Sequence, residues 1–173
     1  MNVSRKHKSV PDVKKLTVAA VFMALNIAMS SLGIPVPGGH LYLCDLVICT
    51  AAILLDPFYA FAVGGIGSFL GDLIFYPLPM FVSLVVHGVQ AVIISLCVRY
   101  TFKDRPLAGM ILGVALGGVF MVAGYTFGKA FIYSTPEYAI VKLPYEFAQA
   151  IIGAVGSVVL CRRMKIDRQL KLD

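Results

Sequence analysis

Charged residues are scarce in this sequence of 173 residues: they make up 14% of it, against 59% hydrophobic residues. No polar stretch is long enough to form a linker or a second, soluble domain, and heptads, collagen repeats and low-complexity tracts are missing. Few charges, long apolar runs and a mean hydropathy of +0.86 indicate an integral membrane protein. We therefore expect a single membrane domain over residues 1–173.

The motifs of nucleotide-hydrolysing and hydrolytic enzymes are missing as well. There is no GxxxxGK(S/T) phosphate loop, because Gly128-Lys129 is followed by Ala130, and there is no HExxH or GxSxG. No ring-like repeat of charges suggests a pore. We expect no enzyme, no catalytic residue and no cofactor. The basic residues lie at membrane edges, so they do not indicate nucleic-acid binding.

The cysteines lack the spacing of a redox or zinc motif. No CxxC pair occurs, and no histidine stands at zinc-site spacing from a cysteine. We interpret them as small buried hydrophobic residues and expect no metal ligand among them. The cysteines are Cys44, Cys49, Cys97 and Cys161.

The long apolar segments predict an all-α fold of six transmembrane helices in a compact bundle. Pairs of small residues four positions apart, such as Gly109 and Gly113, allow helix backbones to approach closely. Breaks containing proline and glycine separate the segments, and Pro144 fits the first turn of the last helix. The predicted helices cover about residues 16–34, 41–55, 57–75, 80–100, 107–127 and 143–161.

Basic residues are concentrated on one side of this predicted bundle. Thirteen of the fifteen lysines and arginines lie in the two tails or between the fourth and fifth helices. The positive-inside rule places these segments, and therefore both termini, in the cytoplasm. The remaining two, Lys129 and Lys142, are expected at the outer face.

Ionisable and amide side chains inside the apolar segments gather near the predicted outer ends. A carboxylate at a bilayer centre costs roughly 2.5–3.5 kcal/mol, so such residues normally mark function. We expect them to converge on a substrate-binding pocket that opens outward. The alternative is a structural role, in which these residues pair with one another and stabilise the helix ends. This alternative stays open for Asp45 and Asp72. The expected site residues are Glu146, Gln149, His87, Tyr125, His40, Asp45 and Asp72.

Short motifs follow one another in order along the predicted helices, and together they carry a family resemblance. They are Ala20-Val-Phe-Met-Ala24, PGGHLYLCD ending at Asp45, GGIGSFLGD ending at Asp72, His87-Gly88, MVAGY ending at Tyr125, and PYEFAQ ending at Gln149. The chain resembles the substrate-binding S components of energy-coupling factor (ECF) vitamin transporters. Within them it is similar to the branch of riboflavin, pyridoxine and hydroxymethylpyrimidine transporters.

The resemblance implies a fold of six helices that holds a vitamin near the outer face of the cell membrane, under a lid formed by the first loop. It also implies that the small-residue face formed by Ala20, Ala24 and Ala28 docks on a membrane T component. Two ATPase subunits bind that T component and supply the ATP turnover that topples the S component inward. Two residues depart from the family pattern: Cys44 stands for a glycine, and Glu146 for an asparagine.

An acidic pocket favours a small neutral or cationic heterocycle with N–H or O–H donors. We expect Lys129 and Lys142 at the rim, which leaves no basic clamp for anionic vitamins. Pyridoxine-type vitamins or hydroxymethylpyrimidine fit best, stacked on aromatic rings. The candidate rings are Tyr125, Tyr145, Phe81 and Tyr76.

Two other readings of the sequence stay open at this point. A self-sufficient vitamin carrier would be driven by protons through His87 and Glu146, although internal repeats and broken helices typical of such carriers are missing. A membrane protein with a purely structural role would leave the gathering of carboxylates at one depth without explanation.

Overall fold

The computed structural model describes residues 13–101 and 105–164. Its elements are α1 (Val13–Ser30), β1 (Ile34–Val36), β2 (Gly39–Leu41), α2 (Cys44–Leu54), α3 (Pro57–Phe75), α4 (Met80–Thr101), α5 (Pro106–Tyr133) and α6 (Pro136–Met164). Several basic residues behind the topology prediction lie outside the described residues, and the orientation of the termini stays a prediction. They are Arg5, Lys6, Lys8, Lys103, Lys165, Arg168 and Lys171.

Helices dominate the described part of the chain, as expected for an all-α membrane protein. Within residues 13–101 and 105–164, five helices are long and apolar enough to cross a membrane. The exception is α2, whose 11 residues span about 16 Å, roughly half of the hydrocarbon core. Nine of the α2 residues are buried, because this short helix lies inside the bundle and contacts α1, α4 and α6.

The first helix ends at Ser30, earlier than the expected residue 34. A proline disfavours helical geometry at the residue before it, so Pro35 keeps Ile34 extended. Ile34 pairs instead with Leu41 in an antiparallel hairpin that the sequence reading missed. Gly38 turns the hairpin with a φ of 82°, in the left-handed region that favours glycine. This hairpin covers one end of the bundle.

The last helix begins at Pro136, earlier than the expected residue 143. A proline suits the first position of a helix, where no backbone N–H is required. Pro144 consequently lies inside α6, and the prediction that it opens the helix is wrong. Transmembrane helices tolerate an internal proline because neighbouring groups satisfy the freed carbonyl. The extension places Lys142 and Glu146 on one helix.

Glycines bring α5 against α4 along one face, as the small-residue pattern predicts. A Cβ atom on Gly113 would lie 3.1 Å from the Ile94 carbonyl oxygen, and one on Gly109 would lie 3.1 Å from that of Cys97. Larger residues here would push the two helices apart. This close contact fixes the spacing of the two helices at the end where α4 finishes and α5 begins.

A π-helical turn at Ala62–Ile66 interrupts α3 and changes which neighbour its glycines face. Gly64 lies against α4, where an added Cβ would stand 2.6 Å from the His87 carbonyl oxygen. Gly67 lies against α1, where an added Cβ would stand 2.8 Å from Nδ2 of Asn26. The Asn26 amide donates to the Val63 carbonyl within the turn, at 2.9 Å. The turn therefore joins α3 to two different helices.

Candidate substrate-binding site

A cavity of about 40 Å³ lies between the hairpin and the adjacent ends of α3 to α6. Most of the residues expected at a binding site line it, and they come from every side of the opening. The expected residues that line it are His40, Asp72, His87, Tyr125, Glu146 and Gln149. Asp45 is the exception, because it lies beneath the cavity and is connected to it through Gln149 and, by way of Gln90, through His87.

A network of buried hydrogen bonds forms the floor below the cavity. Asp45 is only 1% exposed, and its two oxygens accept from Gln90 Nε2 at 2.8 Å and from Gln149 Nε2 at 2.5 Å. Gln149 Oε1 in turn accepts from the backbone N–H of Tyr42 at 3.0 Å. Both Gln side chains are therefore held in fixed orientations. This supports the bracing role for Asp45 that the sequence left open.

The same network fixes the tautomer of His87. Its Nδ1 lies 2.7 Å from Oε1 of Gln90, whose Nε2 already donates to Asp45. Because an amide oxygen can only accept, Nδ1 of His87 carries the proton of that bond. In the neutral form of the ring, Nε2 is then the acceptor. A ligand hydroxyl or amine in the cavity is the kind of donor that this nitrogen can accept.

A chain of hydroxyl groups forms a second wall. The Tyr125 hydroxyl donates to Ser83 Oγ at 2.6 Å, and the Ser83 hydroxyl donates to a carboxylate oxygen of Asp72. The Tyr125 ring lies 5.1 Å from the His87 ring, measured between centroids. Asp72 thus holds α4 and α5 in place through Ser83, and its carboxylate also lines the cavity.

Lys129 and Lys142 line the cavity, and the expectation that they lie at its rim is wrong. They are only 6% and 8% exposed. Lys129 Nζ donates to the Gly38 carbonyl at the hairpin turn, at 2.8 Å. The sequence reading placed both lysines in the connection after the fifth helix. In the structure α5 continues to Tyr133 and α6 starts at Pro136, so both lysines are held on helices that face the opening.

Glu146 is the most unusual group at the site. It is 2% exposed, and Oε1 lies 2.7 Å from Nζ of Lys142, one helical turn earlier. Oε1 is therefore engaged in the ion pair, whereas Oε2 has no partner among residues 13–101 and 105–164. A buried acceptor without a donor is costly, by about 1–3 kcal/mol or more for a charged group. This carboxylate is therefore ready to accept hydrogen bonds within the cavity.

Several contributors escaped the sequence reading because each sits alone in an apolar stretch or a loop. Ser83, Gln90 and Tyr133 belong to this group, and spacing from His87 along α4 is the one signal that points to Ser83 and Gln90. Tyr42 lies on the loop before α2 and lines the cavity. Burial, reinforced by the Asp72 carboxylate, raises the pKa of Tyr42 to about 12, so its hydroxyl stays protonated at neutral pH.

The expected stacking rings divide into two groups. Tyr125 and Tyr76 line the cavity, whereas Phe81 is 64% exposed and packs against Phe69 on the outside of the bundle. Tyr145 does not line the cavity either, because the neighbouring Glu146 occupies the inward face of α6. The stacking prediction is therefore wrong for Phe81 and Tyr145.

Three potential metal ligands lie together at the cavity floor. Ligand atoms of Cys44, Asp45 and His87 all lie within 4.8 Å of one another. The Asp45 oxygens and His87 Nδ1 are already engaged with Gln90 and Gln149. The hydrogen-bond network accounts for the proximity of Asp45 and His87 without an ion.

The small-residue face of α1 is directed away from the bundle. Ala20, Ala24 and Ala28 are all exposed, while Asn26 and Ser30 on the opposite side are buried. Exposed alanines four residues apart form a shallow strip that a partner helix can approach closely. Docking of a T component on this strip stays a prediction.

Membrane-spanning helices packed around a small polar cavity define the class: a multi-pass membrane bundle. The family described as ECF-type riboflavin transporter, S component, matches residues 11–166. A protein of Pyrococcus woesei, described as an uncharacterized protein in gap 3'region, is 31% identical over 134 residues, which cover 76% of this chain and 88% of that protein. The chain belongs to the ECF-type S component family.

Membership fixes the general role of the chain. It is the substrate-binding subunit of an ECF transporter, a multi-pass membrane protein and not an enzyme. The family implies a vitamin substrate, a membrane T component and ATPase partners in general terms.

Proposed function

We propose that the cavity captures a small nitrogen heterocycle with hydroxyl or amino groups, of the pyridoxine or hydroxymethylpyrimidine type, from outside the cell. Both chain termini then lie in the cytoplasm. The observation that carries this proposal is Glu146, a buried cavity carboxylate whose Oε1 is paired with Lys142 and whose Oε2 has no donor among the residues that the structure describes. A ligand O–H or N–H supplies the missing donor, and charge-assisted hydrogen bonds are the strong ones.

The size of the cavity supports a ligand with one ring. Its volume of about 40 Å³ is well below the roughly 300–1,000 Å³ of drug-sized ligand pockets. Ligand entry therefore requires displacement of the hairpin and of the Lys129 and Lys142 side chains that line the cavity. A single ring requires less displacement than a fused three-ring system.

The charges around the cavity favour a ligand that both donates and accepts hydrogen bonds. The ammonium groups of Lys129 and Lys142 offset the carboxylates of Asp72 and Glu146, so the lining is not strongly acidic. Lysine donates only and an ionised carboxylate accepts only. Pyridoxine and hydroxymethylpyrimidine carry hydroxyl groups and ring nitrogens that match both kinds of partner. The lysines also remove the argument against anionic vitamins, which belong in the test.

Riboflavin is the second candidate. The description of the matching family names it, and the aromatic residues Tyr76, Tyr125 and Tyr133 around the cavity offer surfaces for a flat ring. Riboflavin would need a wider opening of the hairpin than a pyridine or pyrimidine does.

Isothermal titration of the purified chain against a vitamin panel tests the substrate. The panel contains pyridoxine, hydroxymethylpyrimidine and riboflavin, with biotin, folate and pantothenate as anionic compounds. We expect tight binding of pyridoxine or hydroxymethylpyrimidine. Tight binding of riboflavin alone selects the second candidate, and tight binding of an anionic vitamin alone contradicts both.

Uptake assays test whether the chain binds the vitamin and its partners drive the transport. Cells express the chain alone or together with a T component and two ATPase subunits, and accumulation of labelled vitamin is measured. We expect uptake only with the partners. Uptake by the chain alone, abolished by a protonophore, instead indicates the proton-coupled carrier.

A further inference from the structure

The seam between α5 and α6 carries a groove on the outer surface of the bundle, away from the substrate cavity. Its first part has a volume of about 510 Å³ and lies where α5 begins and α6 ends. Leu107 and Ile111 form one wall, and Val158 and Val159 form the other. Its open end is bounded by Arg162 and Arg163.

A second part of the groove begins one helical turn further along both helices. It adds about 260 Å³ and is lined by apolar and small residues, among them Ala115, Gly118 and Ala150. A Cβ atom added to Gly118 would meet only the Ala150 Cβ atom, at 3.6 Å, so the floor is formed by small groups. The two parts share the seam and together run from Leu107 to Val122 of α5.

The seam is long enough to hold a lipid tail across one leaflet. Fifteen residues of helix are about 22 Å long, and one leaflet contributes roughly 15 Å to a hydrocarbon core of about 30 Å. The walls are apolar along the membrane-spanning part of both helices. A flexible hydrocarbon chain can lie along this length without burying a polar group.

The two arginines supply charge at the end of the apolar groove. Arg162 and Arg163 occupy the last turn of α6 and are exposed. Among residues 13–101 and 105–164, no carboxylate forms an ion pair with either guanidinium. Guanidinium groups bind phosphate through paired hydrogen bonds, and basic pockets between transmembrane helices bind anionic headgroups.

We propose that this seam is a binding site for one anionic phospholipid. The phosphate pairs with Arg162 and Arg163, and an acyl chain lies in the groove over Gly118. The site is separate from the substrate cavity and from the alanine face of α1. Its ligand is recognised by the combination of a phosphate and a tail, because the arginines can pair only with the phosphate and the apolar walls can contact only the tail.

Lipid retention measured by native mass spectrometry tests the site. The protein is purified in detergent and exposed to short-chain phosphatidylglycerol or to phosphatidylcholine with the same tails. We expect phosphatidylglycerol to remain bound, and the double variant R162Q/R163Q to lower its affinity by about tenfold or more. Arg105→Gln, at the same membrane edge but outside the groove, is the matched control and should retain the lipid.

A second variant tests the tail contact without touching the charges. Ala115→Phe fills the groove and should reduce phosphatidylglycerol retention, while substrate binding and the size-exclusion profile show that the protein is still folded. Equal retention of both lipids, or unchanged retention in R162Q/R163Q, overturns the proposal and leaves the arginines with a topological role. Displacement of the lipid by equimolar inorganic phosphate overturns it as well, because the site is then one for small anions.

Discussion

Lys142 and Glu146 form an ion pair of 2.7 Å across one turn of α6, inside the wall of a cavity rather than on a surface. The second oxygen of Glu146, Oε2, has no hydrogen-bond donor among the residues that the structure describes. Burying such a pair is expensive, and it is weak grounds for a role in stability. The presence of this pair in the cavity wall is better explained by ligand recognition.

Glu146→Gln should weaken binding of the preferred vitamin by about tenfold or more, because a charge-assisted hydrogen bond contributes roughly 1.5–3 kcal/mol. The amide keeps the volume of the side chain, so folding should change little. Isothermal titration measures the affinity, and Glu137→Gln, on the exposed first turn of α6, is the control. Unchanged affinity for Glu146→Gln and for His87→Ala would remove both residues from the site.

Lys129→Met should increase the rate at which the vitamin dissociates by about three- to tenfold. The variant loses the hydrogen bond to the Gly38 carbonyl, and a net contribution of about 1 kcal/mol is typical of such a bond. Stopped-flow dissociation measures the rate. Lys15→Met is the control, because Lys15 pairs with Asp56, away from the cavity, in a half-exposed contact of 3.9 Å. If dissociation is as slow as in the wild type, Lys129 does not hold the hairpin.

Ala24→Trp should abolish uptake in cells that contain the T component and ATPases, while vitamin affinity stays within twofold. A large ring on the alanine face keeps a partner helix from approaching. Ile74→Trp, at a position of α3 that is 62% exposed, is the control and should transport normally. Normal uptake by Ala24→Trp contradicts the assignment of this face to docking.

Gly64→Ala should destabilise the bundle by about 1–3 kcal/mol, because overpacking forces backbones apart. The added methyl group would stand 2.6 Å from the His87 carbonyl oxygen, so α3 and α4 must separate. Gly118→Ala is matched in chemistry, but its methyl group meets only Ala150, at 3.6 Å. Thermal unfolding in detergent compares them, and equal melting temperatures would show that the π turn absorbs the extra group.

The presence of the long helices and the assignment to the membrane could be predicted from the sequence, because long apolar segments form few structures other than transmembrane helices. The residues at which the helices begin and end were harder to predict from the sequence. They determine which side chains line the cavity. Pro136 and Pro144 are equally good starts for α6 by local rules, and only the structure shows that Pro136 is used. That choice moves Lys142 from a loop into the cavity wall.

The site residues on helices were predictable as a group, because apolar stretches make isolated polar residues conspicuous. His87, Glu146 and Gln149 line the cavity for this reason. Their partners were not predictable, since the bond between Gln149 and Asp45 joins residues 104 positions apart. Only the packed bundle shows that Asp45 supports the floor while Asp72 reaches the opening.

The π turn in α3 rotates the second half of that helix about its axis relative to the first half. Each residue advances an α-helix by about 100°, so deleting one residue within Ala62–Ile66 would rotate everything beyond it by that angle. Gly67 and Gly71 would leave α1, and Asp72 would swing away from Ser83. The one extra residue that the π turn inserts in the middle of α3 thus determines the direction of the Asp72 carboxylate near the end of the helix.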